Sequence, residues 1–269
     1  MHCASFARSV RFPSVAFRSH EEFQGYWSAN RAYLEARETY HESLATRECS
    51  LTCKGTCAPC LRPVEFLSVT EDGAALKDGR RMPNWNRQMR CDCADGLTAR
   101  ERVLIHFLQA TVLAPWAELL VFGPCTIAHR LTPLVSAVTP VPRLQSSQAP
   151  VLDAPSERFH LVVAQDYLNV LPPLQSALIE LFRVLVAGGC FVFTVPFQCT
   201  AASSELMDAA AFSFAPEMPT EFRGIEHKFG WDLLPMLRAI GFRQATAYLY
   251  WSEELGYLGN TNFIFKAVK

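Results

Sequence analysis

Apolar residues run unbroken from Leu161 to Ala164 and stop at the polar pair Gln165-Asp166. A short apolar run closed by polar residues reads as a buried strand. A helical segment follows. Gly188-Gly189 then leads into a second apolar run, Cys190 to Val195. Strand, helix and strand in one short unit predict a parallel sheet of the α/β class. The polar pair falls at the C-terminal end of the first strand, where open α/β sheets place their ligands.

The flanking pattern extends this unit. Glu118 to Phe122 predicts the first strand of the sheet, and one further short strand is expected near Val151-Leu152. Residues 136–158 are rich in Pro, Ser and Gln with little periodicity, and 198–222 read as a loop or partly helical insert. A helix from Trp231 to Ala239 stops at Gly241, a fitting C′ residue. Strands near Ala245–Trp251 and Asn262–Ala267 predict a closing antiparallel hairpin. Upstream, residues 21–47 are charged and helix-prone, with Phe23, Trp27, Tyr33 and Leu34 able to form an apolar stripe. A helix packed on the main domain is the preferred reading there, with a lid as the alternative. Val64 to Val69 predicts a strand, followed by a turn at Glu71-Asp72-Gly73. Thr98 and Glu101 predict a capping box. The helix it opens should run to about Leu113, with Arg100 and Arg102 exposed, and end at Pro115. These elements divide the chain into an N-terminal arm and helix (1–47), a cysteine-rich module (48–98) and an α/β domain (99–269).

Composition narrows the possibilities. In 269 residues, half of them hydrophobic, there is ample material for a core. A net charge of -1 argues against a broad nucleic-acid-binding face. The longest apolar candidate for a membrane span, Phe107 to Ala128, is interrupted by Gln109, Pro115 and Glu118. Residues 1–20 lack the apolar core of a secretory signal, so a cytoplasmic location is expected. Arg8, Arg11 and Arg18 precede the first acidic residue, Glu21. A basic arm is the preferred reading of that bias, which mitochondrial transit peptides share. Of the ten cysteines, Cys49, Cys53, Cys57, Cys60, Cys91 and Cys93 lie in one stretch. Without a secretory signal, such clustering points to metal rather than disulfides. Four thiolates from two turns, Cys57 with Cys60 and Cys91 with Cys93, would satisfy structural tetrahedral zinc. Cys49 or Cys53 remain possible substitutes.

The spelling of the strand–helix–strand unit adds a family resemblance. Asp166, Leu168 and Pro172, then Arg183-Val184-Leu185, Gly188-Gly189 and Thr194-Val195-Pro196-Phe197 resemble the second half of a class I S-adenosylmethionine (SAM)-dependent methyltransferase. The tail resembles one bacterial branch of that family, which also carries a cysteine-rich segment. The tail residues are His227-Lys-Phe-Gly-Trp-Asp-Leu-Leu234 and Tyr248-Leu-Tyr-Trp-Ser-Glu-Glu-Leu-Gly-Tyr-Leu-Gly259. The resemblance implies a Rossmann-like sheet, mostly parallel with a C-terminal antiparallel hairpin.

It also implies SAM as cofactor, contacted by Phe122, Gly123, Thr126, Asp153, Gln165, Asp166 and Tyr167. Asp166 would receive the SAM ammonium or orient the acceptor, and Tyr167 would offer an aromatic face to the sulfonium. His227 is a candidate base, with a structural place at the start of the Trp231 helix as the other reading. The chain departs from the family in three places. One glycine followed by Pro124 replaces a Gly-rich loop, and no acidic residue lies between Gly123 and Asp153 to hold the ribose. Asn169-Val170 stands where relatives often carry Glu-His. Two functions are therefore expected. One is a SAM-dependent methyltransferase acting on a small molecule or carrier-bound intermediate. The other is a catalytically inactive relative that binds a protein partner. Neither requires nucleic acid or membrane.

Overall fold

The computed structural model describes residues 10–70, 73–93, 95–123, 125–141, 151–171, 173–208 and 225–269. The described residues open with strand β1 (Ser14–Phe17) and helices α1 (His20–Ala29) and α2 (Arg31–Ser43). Strands β2 (Ser50–Cys57), β3 (Arg62–Val69), β4 (Ala74–Ala75) and β5 (Arg81–Met82) follow, then α3 (Trp85–Gln88), β6 (Met89–Cys91) and α4 (Ala99–Thr111). The second half comprises β7 (Glu118–Phe122), α5 (Ala128–Leu131), β8 (Ala137–Val141), β9 (Phe159–Gln165), α6 (Leu174–Val184) and β10 (Leu185–Thr194). It ends with β11 (Glu205–Asp208), β12 (Ile225–Lys228), α7 (Leu233–Ile240), β13 (Gln244–Tyr250) and β14 (Phe263–Val268). These elements form two compact units. One draws on 1–15, 24–111 and 249–262, the other on 16–23, 112–248 and 263–269. Among the described residues, no helix is long and apolar enough to cross a membrane.

In the first unit β2, β3 and β6 form an antiparallel sheet in that order. Val64, Phe66 and Ser68 of β3 point inward while Glu65, Leu67 and Val69 face out, the period-two pattern of a half-buried strand. The turn expected at Glu71-Asp72-Gly73 lies partly outside the described residues. The capping box opens α4: the Glu101 amide donates to Thr98 Oγ1 at 3.3 Å, and Glu101 Oε2 accepts from the Thr98 amide at 2.7 Å. The expected exposure of Arg102 is overturned. The side chain is fully buried, because α4 is covered on nearly every face from Arg102 to Leu108. Residues 21–47 form two helices rather than one, meeting at Asn30, whose Nδ2 donates to the Tyr26 carbonyl. Phe23 and Leu34 of the expected stripe are buried, but Tyr33 is exposed.

The second unit is built on a seven-stranded sheet of order β1-β13-β14-β10-β9-β7-β8. Strands β8, β7, β9 and β10 are mutually parallel, and β14 runs antiparallel to β10. This is the expected α/β, Rossmann-like sheet with its C-terminal antiparallel hairpin. Its core is strongly aromatic. Phe191, Phe193 and Phe265 stack with centroids 4.5 and 5.3 Å apart, and Trp231 packs with Phe17, Phe23, Phe197 and Phe263. Helix α7 ends at Gly241, whose φ of 128° suits glycine best.

Two expectations fail in this unit. No strand forms at Val151-Leu152. The Leu152 amide donates instead to Glu180 Oε2 (2.9 Å), and the Leu152 and Ala154 carbonyls accept from Arg183 (3.1 and 2.9 Å). Side chains of α6 thus satisfy backbone groups that a strand would pair with a neighbour. The insert at 198–222 is not simply loop or helix. Glu205–Asp208 is a strand, and it pairs antiparallel with β12. Residues 209–224 lie outside the described residues.

Candidate functional site

The sheet of the second unit reverses its strand order between β7 and β9: β7 connects outward to β8, and β9 then returns to lie on the other side of β7. Such a switch point opens a crevice at the carboxyl ends of the strands. Phe122 and Gly123 end β7 there, and Gln165, Asp166 and Tyr167 end β9, so the structure brings five of the predicted residues together. Asp166 turns sharply out of the strand at φ 47°, and its amide donates to the Thr194 carbonyl of β10 at 3.0 Å. A residue in that left-handed conformation outside glycine marks a constrained point of the backbone. Gln165 Oε1 accepts from the Cys125 thiol at 3.8 Å across the crevice.

Tyr167 occupies the crevice itself. Gly123 has φ 86°, and a Cβ built on it would collide with Cβ, Cγ and Cδ1 of Tyr167. The ring also meets Phe122 edge-on with centroids 5.1 Å apart, and Tyr167 is only 7% exposed. The Gly123 backbone, which such folds keep bare for close approach of a ligand, is therefore covered by the protein's own side chain. This packing was not foreseen from the sequence. The only signal for it was a single glycine facing a large residue beside Asp166. Tested against SAM, the residues give a divided answer. The Asp166 carboxylate and Gln165 suit the cofactor's amino-acid end, but the Tyr167 ring must rotate away before a ligand reaches Gly123.

The remaining candidates are more scattered. Thr126 is exposed, and its carbonyl accepts from His129 Nδ1 at 2.9 Å. Asp153 is exposed, between the Leu152 and Ala154 groups that Arg183 holds. His227 does not begin a helix. It lies on β12 opposite Leu206, beside Phe229 with ring centroids 5.8 Å apart. Its strand packs against the 3-10 turn at Leu168–Val170, which follows Asp166. Burial lowers the imidazole pKa, favouring the neutral, base-competent form.

The first unit carries a separate cluster. Cys57 ends β2, Cys60 lies in the following turn and Cys91 ends β6. Pairing of β3 with both β2 and β6 brings these ends together, and the three Sγ atoms all lie within 4.8 Å of one another. Cys93 is buried beside them. Its amide donates to Cys91 Sγ at 3.3 Å, and its thiol interacts with those of Cys91 and Cys60. Burial pushes the Cys57 thiol well up and the Cys91 thiol to about 11. Holding them as thiolates requires a positive charge in their midst, which a divalent metal supplies. Of the four predicted ligands, the structure thus brings Cys57, Cys60 and Cys91 within range of one metal ion, with Cys93 outside that mutual group but beside it.

No family model matches this chain, and no curated protein sequence matches it. Solved structures similar to it include three enzymes. One is a SAM-dependent methyltransferase from Mesorhizobium loti (13% identity, TM-score 0.37, covering 60% of this chain and 95% of the other). Another is the Burkholderia thailandensis 1,6-didemethyltoxoflavin-N1-methyltransferase (14%, TM-score 0.39, 63% and 76%). A third is the [4+2]-cyclase SpnF (16%, TM-score 0.40, 64% and 81%). Likeness at these levels bears no weight on the chemistry, which rests on the chain's own residues.

Proposed function

We propose that this protein is a SAM-dependent methyltransferase acting on a small or carrier-bound acceptor, with a structural zinc in its cysteine-rich unit. The observation that carries the reading is Asp166, a carboxylate fixed at φ 47° where the sheet reverses its strand order. SAM, when bound, supplies an activated methyl group. The chain's part is alignment: Asp166 and Gln165 would hold the amino-acid end, and the neutral His227 would take a proton from the acceptor. A near-zero net charge fits a small acceptor better than a polyanion.

A second reading is a catalytically inactive relative that serves a protein partner, and the Tyr167 ring lying on Gly123 favours it. Calorimetric titration with SAM and S-adenosylhomocysteine separates the two. Micromolar affinity, worth about 8 kcal/mol, that is lost in Asp166→Ala supports the enzyme. A folded protein that gives no heat at millimolar ligand supports the inactive relative.

A further inference from the structure

Asp232 occupies the position before helix α7 where an acidic side chain ordinarily caps the first turn. It makes no such bond. Its carboxylate turns instead to Ser204, 28 residues earlier. The Ser204 amide donates to both Oδ1 and Oδ2 at 2.9 Å, and Ser204 Oγ donates to Oδ1 at 2.5 Å. That hydroxyl in turn accepts from the Gly230 amide at 3.0 Å. Bonds to an ionised acceptor are about twice as strong as neutral ones, so this clasp outweighs the forfeited cap.

What these bonds join gives them a role. Ser204 immediately precedes β11, and Gly230 lies just beyond the end of β12, so the clasp fastens the two open ends of the β11–β12 sheet to each other. The backbones at this root run very close. A Cβ on Gly230 would overlap the Ser203 carbonyl group, and the Trp231 and Asp232 amides donate to the Ala201 and Ala202 carbonyls at 3.1 and 3.0 Å. The Phe229 amide donates to the Pro196 carbonyl at 3.0 Å, which ties the end of β12 to the chain leaving β10. His227 stands in this sheet opposite Leu206, and its strand packs on the Leu168–Val170 turn that follows Asp166. The root of the sheet therefore sets where His227 lies relative to Asp166.

We propose that Asp232 is a positioning residue of the acceptor side: by clasping Ser204 it holds the β11–β12 sheet, and with it His227, against the turn that follows Asp166. The inference rests on the methyltransferase reading above, in which His227 takes the acceptor's proton, and Asp232 acts only through it. The experiment compares full-length wild type, Asp232→Asn and Ser204→Ala by hydrogen exchange, by NMR titration of the His227 imidazole (assigned with His227→Gln) and by calorimetry with SAM. Asn caps a helix as well as Asp, so Asp232→Asn spares α7 while removing the charge and one acceptor oxygen. Exchange in β11 and β12 should rise about 10–100-fold, as expected when bonds to a charged group are lost. The exchange of α7 and the affinity for SAM should stay within about twofold, the scatter of independent sites. The His227 pKa, lowered by burial, should climb back towards its ordinary 6.5. Ser204→Ala keeps the two amide bonds and should move both readouts less, in the same direction.

Unchanged exchange in β11 and β12 of folded Asp232→Asn, or an unmoved His227 pKa, overturns the proposal. So does an α7 that loosens as much as the sheet, since Asp232 would then serve the helix. If Asp232→Asn does not fold, Ser204→Ala decides alone, and exchange in β11 and β12 no faster than in wild type counts against the clasp. A wild-type protein that does not bind SAM removes the reading on which the role of His227 stands. That failure is seen before any variant is compared.

Discussion

Replacing Gly123 with alanine tests whether Tyr167 fills the crevice. Two costs add. An L-residue at φ 86° pays about 1–2 kcal/mol for the left-handed conformation. The new methyl also overlaps three atoms of Tyr167, and overpacking of this kind costs about 1–3 kcal/mol. Gly123→Ala should therefore lose about 2–5 kcal/mol of stability, read as a shift in urea midpoint at unchanged slope. Most of the second component disappears if Tyr167 is first cut back to alanine, which removes the Cγ and Cδ1 overlaps and leaves only the one at Cβ. In the cycle formed with Tyr167→Ala, the double variant should be more stable than the sum of the singles predicts by about 1–3 kcal/mol. The backbone cost cancels in that comparison, as does the packing lost with the ring. Additivity within about 0.5 kcal/mol would refute the contact and leave the Gly123 backbone open to a ligand.

Four further outcomes follow from the geometry. Thr98→Ala removes one half of the capping box of α4 and should cost about 1 kcal/mol in chemical denaturation. His41 is buried between Trp85 and Trp251; its Nε2 accepts from the Trp251 indole and the Gly259 amide, and burial lowers its pKa to about 4. The unfolded chain takes up this proton first, so stability should fall as pH drops from about 6.5 towards 4, and His41→Gln should flatten that slope. Glu180 has its pKa lowered by hydrogen bonds from Arg183, so its contribution is complete above the ordinary carboxylate range and lost as acid protonates it. Glu180→Gln should reduce acid sensitivity and loosen the Leu152–Ala154 backbone, seen as faster amide exchange. On the metal reading proposed above, treatment with a strong chelator should expose the Cys57, Cys60 and Cys91 thiols to a thiol-titrating reagent and lower the melting temperature.

The sequence made the sheet legible wherever apolar runs were short and sharply bounded. Leu119–Phe122 and Leu161–Ala164 are such cases, because a strand buried on both faces needs unbroken apolar residues. It failed where polar side chains decide the outcome. Val151-Leu152 has strand-like residues, yet Glu180 and Arg183, 28 and 31 positions beyond Leu152, take its backbone groups. Arg102 failed for a related reason. An arginine one turn into a polar helix start ordinarily faces water, and its burial depends on Phe66, Leu255 and Gly256, which no local pattern connects to it.

The crevice follows the same logic and decides between the two functions. Sequence resemblance could place Gly123, Gln165, Asp166 and Tyr167 on strand ends, because strand position is local. It could not tell that Tyr167 lies across Gly123, because that contact depends on the separation of two parallel strands and on the left-handed turn at Asp166. For the SAM proposed above, the missing acidic residue after β8 and the covered glycine would act from two sides. The first removes a contact to the ribose, and the second imposes the cost of moving a buried ring before the cofactor can approach. Tyr167→Val removes only the second. If SAM binding strengthens in that variant, the wild-type crevice is a cofactor site held closed by its own side chain. If affinity does not change, the ring is structural filler, and the missing ribose contact is what sets the limit.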